Sequence, residues 1–278
     1  MAVGFYFFDL TLFQVAVIQA VTIAISTIIC LFFAKRYLAI DFAFNTEWIK
    51  KLYGYGKYTF GTNISSMVVR NLDSWMLGAM LSPTAVALYN PAVRIANLFE
   101  IPATSLASVA FPQAVKRIDE EGESAAKKIY EKSSVFIFAS ILPFVIFVLV
   151  FAEEVVVLIA GKEYIETSSI IRVTILYGLV IPFNKQFGIV LDAMGKAKLN
   201  MWYVIRNLFI NLILNYLFIK SFGVIGAAYA TLSTFIISSI LNQVYMYRHM
   251  HVRMSTYPGY FLEFYKMMYL LLKNKLGK

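Results

Sequence analysis

The sequence predicts an all-α membrane protein of about seven transmembrane helices, N-terminus out and C-terminus in. Three observations predict it. Of the 278 residues, 60% are hydrophobic and 15% charged, a balance foreign to ordinary soluble domains. Apolar runs of about 20 residues recur, the length an α-helix needs to cross a bilayer. The basic residues fall in alternate connecting segments, as the positive-inside bias requires. In lipid only helices or closed barrels satisfy the backbone, and no ten-residue alternation marks a barrel.

The first run, about Gly4–Phe33, has no basic residue before it and ends in Lys35-Arg36. A secretory signal shows the reverse charge order, so this is a retained span. Residues 35–57 form a basic linker, with Trp48-Ile49-Lys50-Lys51-Leu52-Tyr53 as an interfacial amphipathic piece. The second span is Thr59–Leu81 and the third about Thr84–Phe111, opened by Pro83. Residues 116–132 carry charges of both signs and read as a solvated connector. The fourth span, Ser133–Ala152, is almost wholly apolar and reads as facing lipid, kinked at Pro143. The fifth, Thr167–Asp192, is interrupted by Gly178 and Pro182. A tight basic turn, Gly195-Lys196-Ala197-Lys198, leads to the sixth, Leu199–Ile219. The seventh, Val224–Tyr247, stops at Arg248-His249-Met250. Beyond Pro258-Gly259, apolar residues at helical spacing with Lys266, Lys273 and Lys275 read as a helix on the inner membrane surface.

The charge distribution supports this order. Segments assigned inside hold 18 of the 25 Lys and Arg residues, and segments assigned outside hold Lys162 and Lys220. Arg70, Arg94, Arg172, Lys185 and Arg206 fall within spans. This pattern, rather than the net charge of +9, excludes a nucleic-acid patch. Cys30, the single cysteine, permits no intrachain disulfide.

The span cations mark the candidate site. Arg70 lies eleven residues from either end of its span, near the bilayer midplane, where a charge costs about 2.5–3.5 kcal/mol on insertion scales. Thr59, Asn63, Ser66, Arg70 and Asp73 recur at intervals of four and three and share one helical face. Asn90, Arg94 and Asn97 do the same in the third span. Lys185, Gly188 and Asp192 share a face in the fifth, and Asn207, Asn211 and Asn215 form a stripe beside Arg206 in the sixth. The seventh adds Thr231, Thr234, Ser238 and Asn242. A purely structural reading pairs Arg70 with Asp73 and uses the amides as interhelical glue, at about 0.6 kcal/mol per bond. Five span cations against Asp73, Glu100 and Asp192 leave an excess of positive charge, which suits a hydrated cavity for an anion. Arg favours phosphate through its planar donor fork. There is no Walker-type glycine loop and no metal-spaced Cys/His cluster, so neither a cofactor nor a metal is expected.

The run Gly61-Thr62-Asn63-Ile64-Ser65-Ser66 through Arg70-Asn71-Leu72-Asp73-Ser74-Trp75-Met76-Leu77-Gly78 resembles the seventh helix of polysaccharide-unit flippases. These belong to the multidrug/oligosaccharidyl-lipid/polysaccharide exporter superfamily. Ala85-Val86-Ala87-Leu88-Tyr89-Asn90 with Arg94-Ile95-Ala96-Asn97 is similar to the start of the family's eighth helix. Phe111-Pro112, Gly161-Lys162-Glu163-Tyr164, Asp192-Ala193-Met194-Gly195-Lys196 and Phe222-Gly223-Val224-Ile225-Gly226-Ala227-Ala228 follow in the family's order.

The resemblance implies a non-enzymatic transporter of the plasma membrane. It would flip a polyprenyl-diphosphate-linked oligosaccharide by alternating access between two six-helix lobes. Residues 1–34 then resemble the last helix of an N-terminal lobe, 35–58 a cytoplasmic linker, 59–250 the C-terminal lobe and 251–278 an interfacial tail. Matches of Gly4, Leu10 and Phe13 to Gly226, Leu232 and Phe235 agree with that reading. The expected partners are the lipid-linked oligosaccharide and a separate N-terminal lobe. Arg70 and Arg94 are expected on the diphosphate, with Arg172, Lys185 and Arg206 along the cavity, and Asn63, Asn97 and Asn211 among the ligand contacts. Asp73 either orients Arg70 or takes part in ion coupling. The alternatives are a small-molecule exporter of the same superfamily, whose drug-cation form needs an acidic cavity, and a truncated membrane protein that does not transport. A retinal-type receptor needs a lysine in its last helix, absent from Val224–Tyr247, and a glycosyltransferase needs metal-binding loop acids.

Overall fold

A computed structural model of the chain describes residues 12–35, 45–98 and 100–276. It divides into two units, Met1–Lys50 and Lys51–Lys278. In the first, α1 (Leu12–Ala34) is mostly apolar, Thr22 and Thr27 turn their hydroxyls back onto carbonyls of the preceding turn, and its described side chains are almost all exposed, as a lipid-facing helix requires. Gly4, Leu10 and residues 36–44 of the linker named above lie outside the described residues.

The second unit is a helical bundle. α2 runs unbroken over Thr46–Met80, so the expected amphipathic piece at residues 48–53 continues straight into the second span. A two-residue joint leads to α3 (Pro83–Asn97), where the Ser82 side chain caps by accepting from the Ala85 N–H and Pro83 occupies the first turn. Next come α4 (Glu100–Glu121), α5 (Glu123–Val150), α6 (Ala152–Ala160), α7 (Thr167–Thr174) and α8 (Tyr177–Ala193). The bundle closes with α9 (Ala197–Phe222), α10 (Val224–Met250) and α11 (Tyr257–Leu276).

Among the described residues, five stretches are long and apolar enough to cross a membrane: Ala16–Ala34, Glu123–Val150, Thr167–Ala193, Ala197–Phe222 and Val224–Met250. The second and third expected spans are not among them, because their helices carry the polar faces read from the sequence.

Three expectations change. The third span is not continuous but breaks after Asn97 into α3 and α4. Residues 116–132 are helical on both sides of Gly122, which takes φ 69° as the N-cap of α5. Tyr130 and Glu131 are buried there, and the Glu131 carboxylate accepts the Arg253 N–H at 3.3 Å; a charge-rich string does not reveal such a partner. The fourth span does not simply face lipid: α5 buries Ser134, Val135, Ile137, Ala139, Ile141 and Val145 against the rest of the bundle. An apolar run fits a core and hydrocarbon equally well.

Two apolar cores stand at opposite ends of the bundle. One gathers Leu77, Tyr89, Ile95, Ile141, Val145, Ile171 and Ile219 around Ala227 and Ala228. The other holds Ala126, Tyr130, Phe187, Leu191, Met246 and Met250. Ala228 and Met246 are eighteen residues apart on α10, or about 27 Å. Between them α10 turns Thr234, Ser238 and Asn242 into the bundle, giving a polar layer between two apolar ones.

α9 and α10 form the most extensive pair, and they meet so closely at Gly226 that a Cβ there would stand 2.1 Å from the Phe218 carbonyl oxygen. Gly226→Ala is therefore expected to splay the pair and destabilise the bundle by about 1–3 kcal/mol. Gly78→Ala, whose Cβ would meet Val86 at an ordinary 3.5 Å, is expected to change little. Thermal unfolding of both variants in detergent checks the contrast.

Candidate functional site

The polar layer opens on one side into a cavity of about 340 Å³. α2 lines it with Thr62, Ser66 and Arg70; α8 with Asn184, Lys185, Gly188 and Asp192; α9 with Asn200 and Asn207; α10 with Thr234. The one lining acid is partly committed: Asn200 donates to the Asp192 carboxylate at 3.0 Å. Arg70 is exposed and makes no ion pair among the described residues.

Behind this wall, Arg206 donates to Asn207 Oδ1 and Asn242 Oδ1, both at 2.9 Å, and its guanidinium lies 4.6 Å from the Tyr203 ring centre. Asn242 passes the chain of bonds on, donating to Asn184 Oδ1 at 2.9 Å. Ser238 donates to Asn207 Oδ1 at 2.7 Å. Arg206 thus reaches the cavity through two lining amides, Asn207 and Asn184.

One turn along α2 from Arg70, Asp73 turns inward and is only 7% exposed. Its carboxylate accepts from Tyr89 Oη at 2.5 Å, Asn215 Nδ2 at 2.8 Å and Thr231 Oγ1 at 2.8–2.9 Å. These donors stand on α3, α9 and α10, so one carboxylate ties four helices. Asn211 adds bonds to the hydroxyls of Thr231 and Thr234 at 3.1 and 3.3 Å. Asn211 Oδ1 and Asn215 Oδ1 are buried without a hydrogen-bonding partner among the described residues, so the cluster around the carboxylate keeps acceptor capacity to spare.

The expected site residues separate accordingly. Arg70 and Lys185 share the cavity, Arg206 reaches it through amides, and Asn211 belongs to the Asp73 cluster. Among the described residues no ion pair joins Asp73 to Arg70; the carboxylate is occupied by three neutral donors instead. Arg172 stands apart, paired with Glu153 at 3.2 Å, both about half exposed. Asn63, Arg94 and Asn97 are exposed on α2 and α3, away from the cavity wall. Their helical spacing was read correctly, but a shared face is more than 100° wide, so residues along it meet different surroundings. Tyr89 and Asn184 are absent from the expected set. The sole sequence signal for Tyr89 is its place sixteen residues after Asp73, across the α2–α3 joint.

The described residues form a helical bundle of a multi-pass membrane protein, with a cationic cavity beside a buried acid. Residues 6–169 match the family model of the polysaccharide biosynthesis proteins, and the chain belongs to that family. It is 24% identical over 197 residues to the probable low-salt glycan biosynthesis flippase Agl15 of Haloferax volcanii, covering 71% of this chain and 42% of that one. It is 26% identical over 229 residues to the putative O-antigen transporter of Shigella flexneri, covering 79% and 52%. The chain thus spans about half the length of the curated relatives it matches. Among solved structures, an outward-facing multidrug resistance MATE family transporter of the MOP superfamily superposes with a TM-score of 0.58 at 22% identity, covering 71% of this chain and 45% of that one. The fold is that of an all-helical MATE-like transporter.

Thr231→Val removes the hydroxyl that bridges both Asp73 oxygens while keeping the side chain's shape. It is expected to destabilise the bundle by about 1–3 kcal/mol, whereas Arg172→Gln, at an exposed pair, is expected to cost less than about 1 kcal/mol. Thermal unfolding in detergent separates the two.

Proposed function

We propose that this chain forms the C-terminal lobe of a flippase that moves polyprenyl-diphosphate-linked oligosaccharide across the plasma membrane by alternating access, without chemical change to its cargo. The observation that carries this reading is the cavity bearing Arg70 and Lys185. Arg70, in no ion pair among the described residues, is costly near membrane depth unless an anion and water share the space, and a diphosphate supplies the anion while its prenyl tail stays in lipid. Arg206 tunes the wall through Asn207 and Asn242. Seven spans, with the N-terminus out, carry the chain across the membrane; α2 and the α3–α4 pair are the two polar ones.

Arg94, Asn63 and Asn97, exposed on α2 and α3, face the second lobe across the central opening in this reading. Arg94 remains a ligand for the diphosphate there. Asp73 carries the coupling ion: its cluster lies one helical turn from Arg70, and Thr234 belongs to both the cluster and the cavity wall. An ion drawn to Asp73 and an anion drawn to Arg70 thus act on the same two helices, α2 and α10. The cationic cavity favours this cargo over the organic cations of a multidrug exporter.

Vesicles holding the chain, alone and with a second lobe supplied, test the reading with a fluorescent prenyl-diphosphate oligosaccharide. Arg70→Ala with Lys185→Ala is expected to lower flipping at least tenfold, and Arg172→Ala to leave it unchanged. Asp73→Asn is expected to abolish the response to an imposed proton or sodium gradient. Transport of organic cations in place of the lipid-linked sugar would contradict the cargo. A gradient response surviving in Asp73→Asn would remove that residue from coupling.

A further inference from the structure

A second and larger pocket, about 800 Å³, lies along α5 between α4 and α8, clear of the Arg70 cavity. It follows α5 from Ala125 to Ile137, twelve residues or about 18 Å. Its chemistry changes along that length. At the end near Gly122 stand Arg117 and Glu121 of α4 and Lys128 of α5, all exposed and none in an ion pair among the described residues. The other two charged rim groups are engaged, Glu120 with Lys116 at 4.0 Å and Lys132 with Glu263 at 2.7 Å. Further in, Gln186 closes the wall. It is 1% exposed, its Oε1 accepts from Ser133 Oγ at 3.0 Å, and its Nε2 has no acceptor among the described residues. Beside it the lining is apolar, Phe136 and Ile137.

From this gradient we infer a structural lipid site for a phospholipid with a phosphoethanolamine headgroup. The free charges at the mouth are two cations and one carboxylate, matching one phosphate and one primary ammonium. Arg117 and Lys128 take the phosphate, the former through paired N–H donors. Glu121 takes the ammonium. A buried donor without an acceptor is destabilising, and the oxygen joining glycerol to its first chain meets Gln186 Nε2 one headgroup's length below the phosphate. The chain then runs over Phe136 and Ile137 toward the hydrocarbon. A phosphoglycerol headgroup leaves Glu121 facing an anion with no ammonium, and a choline headgroup carries no N–H to give it. In the expected orientation the site belongs to the inner leaflet, where basic pockets between helices hold lipid headgroups.

Native mass spectrometry of the purified chain tests this without reference to flipping. The chain is offered equal amounts of phosphatidylethanolamine, phosphatidylglycerol and phosphatidylcholine in mixed micelles. One retained phosphatidylethanolamine per chain is expected, at least fivefold over either competitor. Arg117→Ala with Lys128→Ala, both exposed and tolerable to the fold, is expected to cut retention at least fivefold, as is Gln186→Leu. Equal retention of the three lipids, preference for either competitor, no retained lipid, or unchanged retention in the Arg117→Ala/Lys128→Ala chain would overturn the site.

Discussion

The Asp73 carboxylate is buried in the last third of α2, and the bundle is arranged to satisfy it. An acid at the centre of a membrane helix costs about 2.5–3.5 kcal/mol on insertion scales, while a hydrogen bond to a charged group returns about 1.5–3 kcal/mol. Three neutral donors, Tyr89, Asn215 and Thr231, are therefore enough to hold it without a basic partner. Each donor comes from a different helix, so α2 cannot slide or rotate without breaking bonds to α3, α9 and α10. The same bonds fix Arg70, one turn away, at the mouth of the cavity. Apolar cores above and below this layer seal it from either end.

This arrangement separates two tasks that the sequence presents as one. The cations and the acid share a helical stripe on α2, yet Arg70 faces open space and Asp73 faces protein. The acid is held by Tyr89, Asn215 and Thr231 rather than by the cation one turn away. Asn211 and Asn215 keep their side-chain carbonyl oxygens buried and without a hydrogen-bonding partner among the described residues. Such orphaned acceptors are uncommon in a buried network, and they concentrate where an ion is proposed to act.

Much of the fold was legible in the sequence. Span length, hydropathy and the charge of the connecting segments located the helices, and the Thr/Ser/Asn ladder on α10 and the Asn ladder on α9 were visible as stripes. Tertiary context was not. The interruption after Asn97 carries no proline or glycine at the joint. The polarity of residues 116–132 hid a helix whose Glu131 finds a backbone partner more than a hundred residues away. Of the site, Arg70, Lys185 and Asn211 could be picked from charge and depth, whereas Tyr89 and Asn184 could not: a tyrosine or a lone asparagine in a span gains a role only from what lies across the interface. Arg172 shows the converse error, since a basic residue near a span end has an exposed acid within reach on α6.

The central claim is that this cavity receives a diphosphate. Equilibrium binding of geranyl diphosphate to the purified chain in detergent tests it most directly, because it needs neither a second lobe nor an ion gradient. Saturable binding to one site, weakened at least tenfold by Arg70→Ala with Lys185→Ala and not by Arg172→Ala, is the predicted result. Binding that ignores those two cations, or an equal affinity for geranyl trimethylammonium, would contradict it.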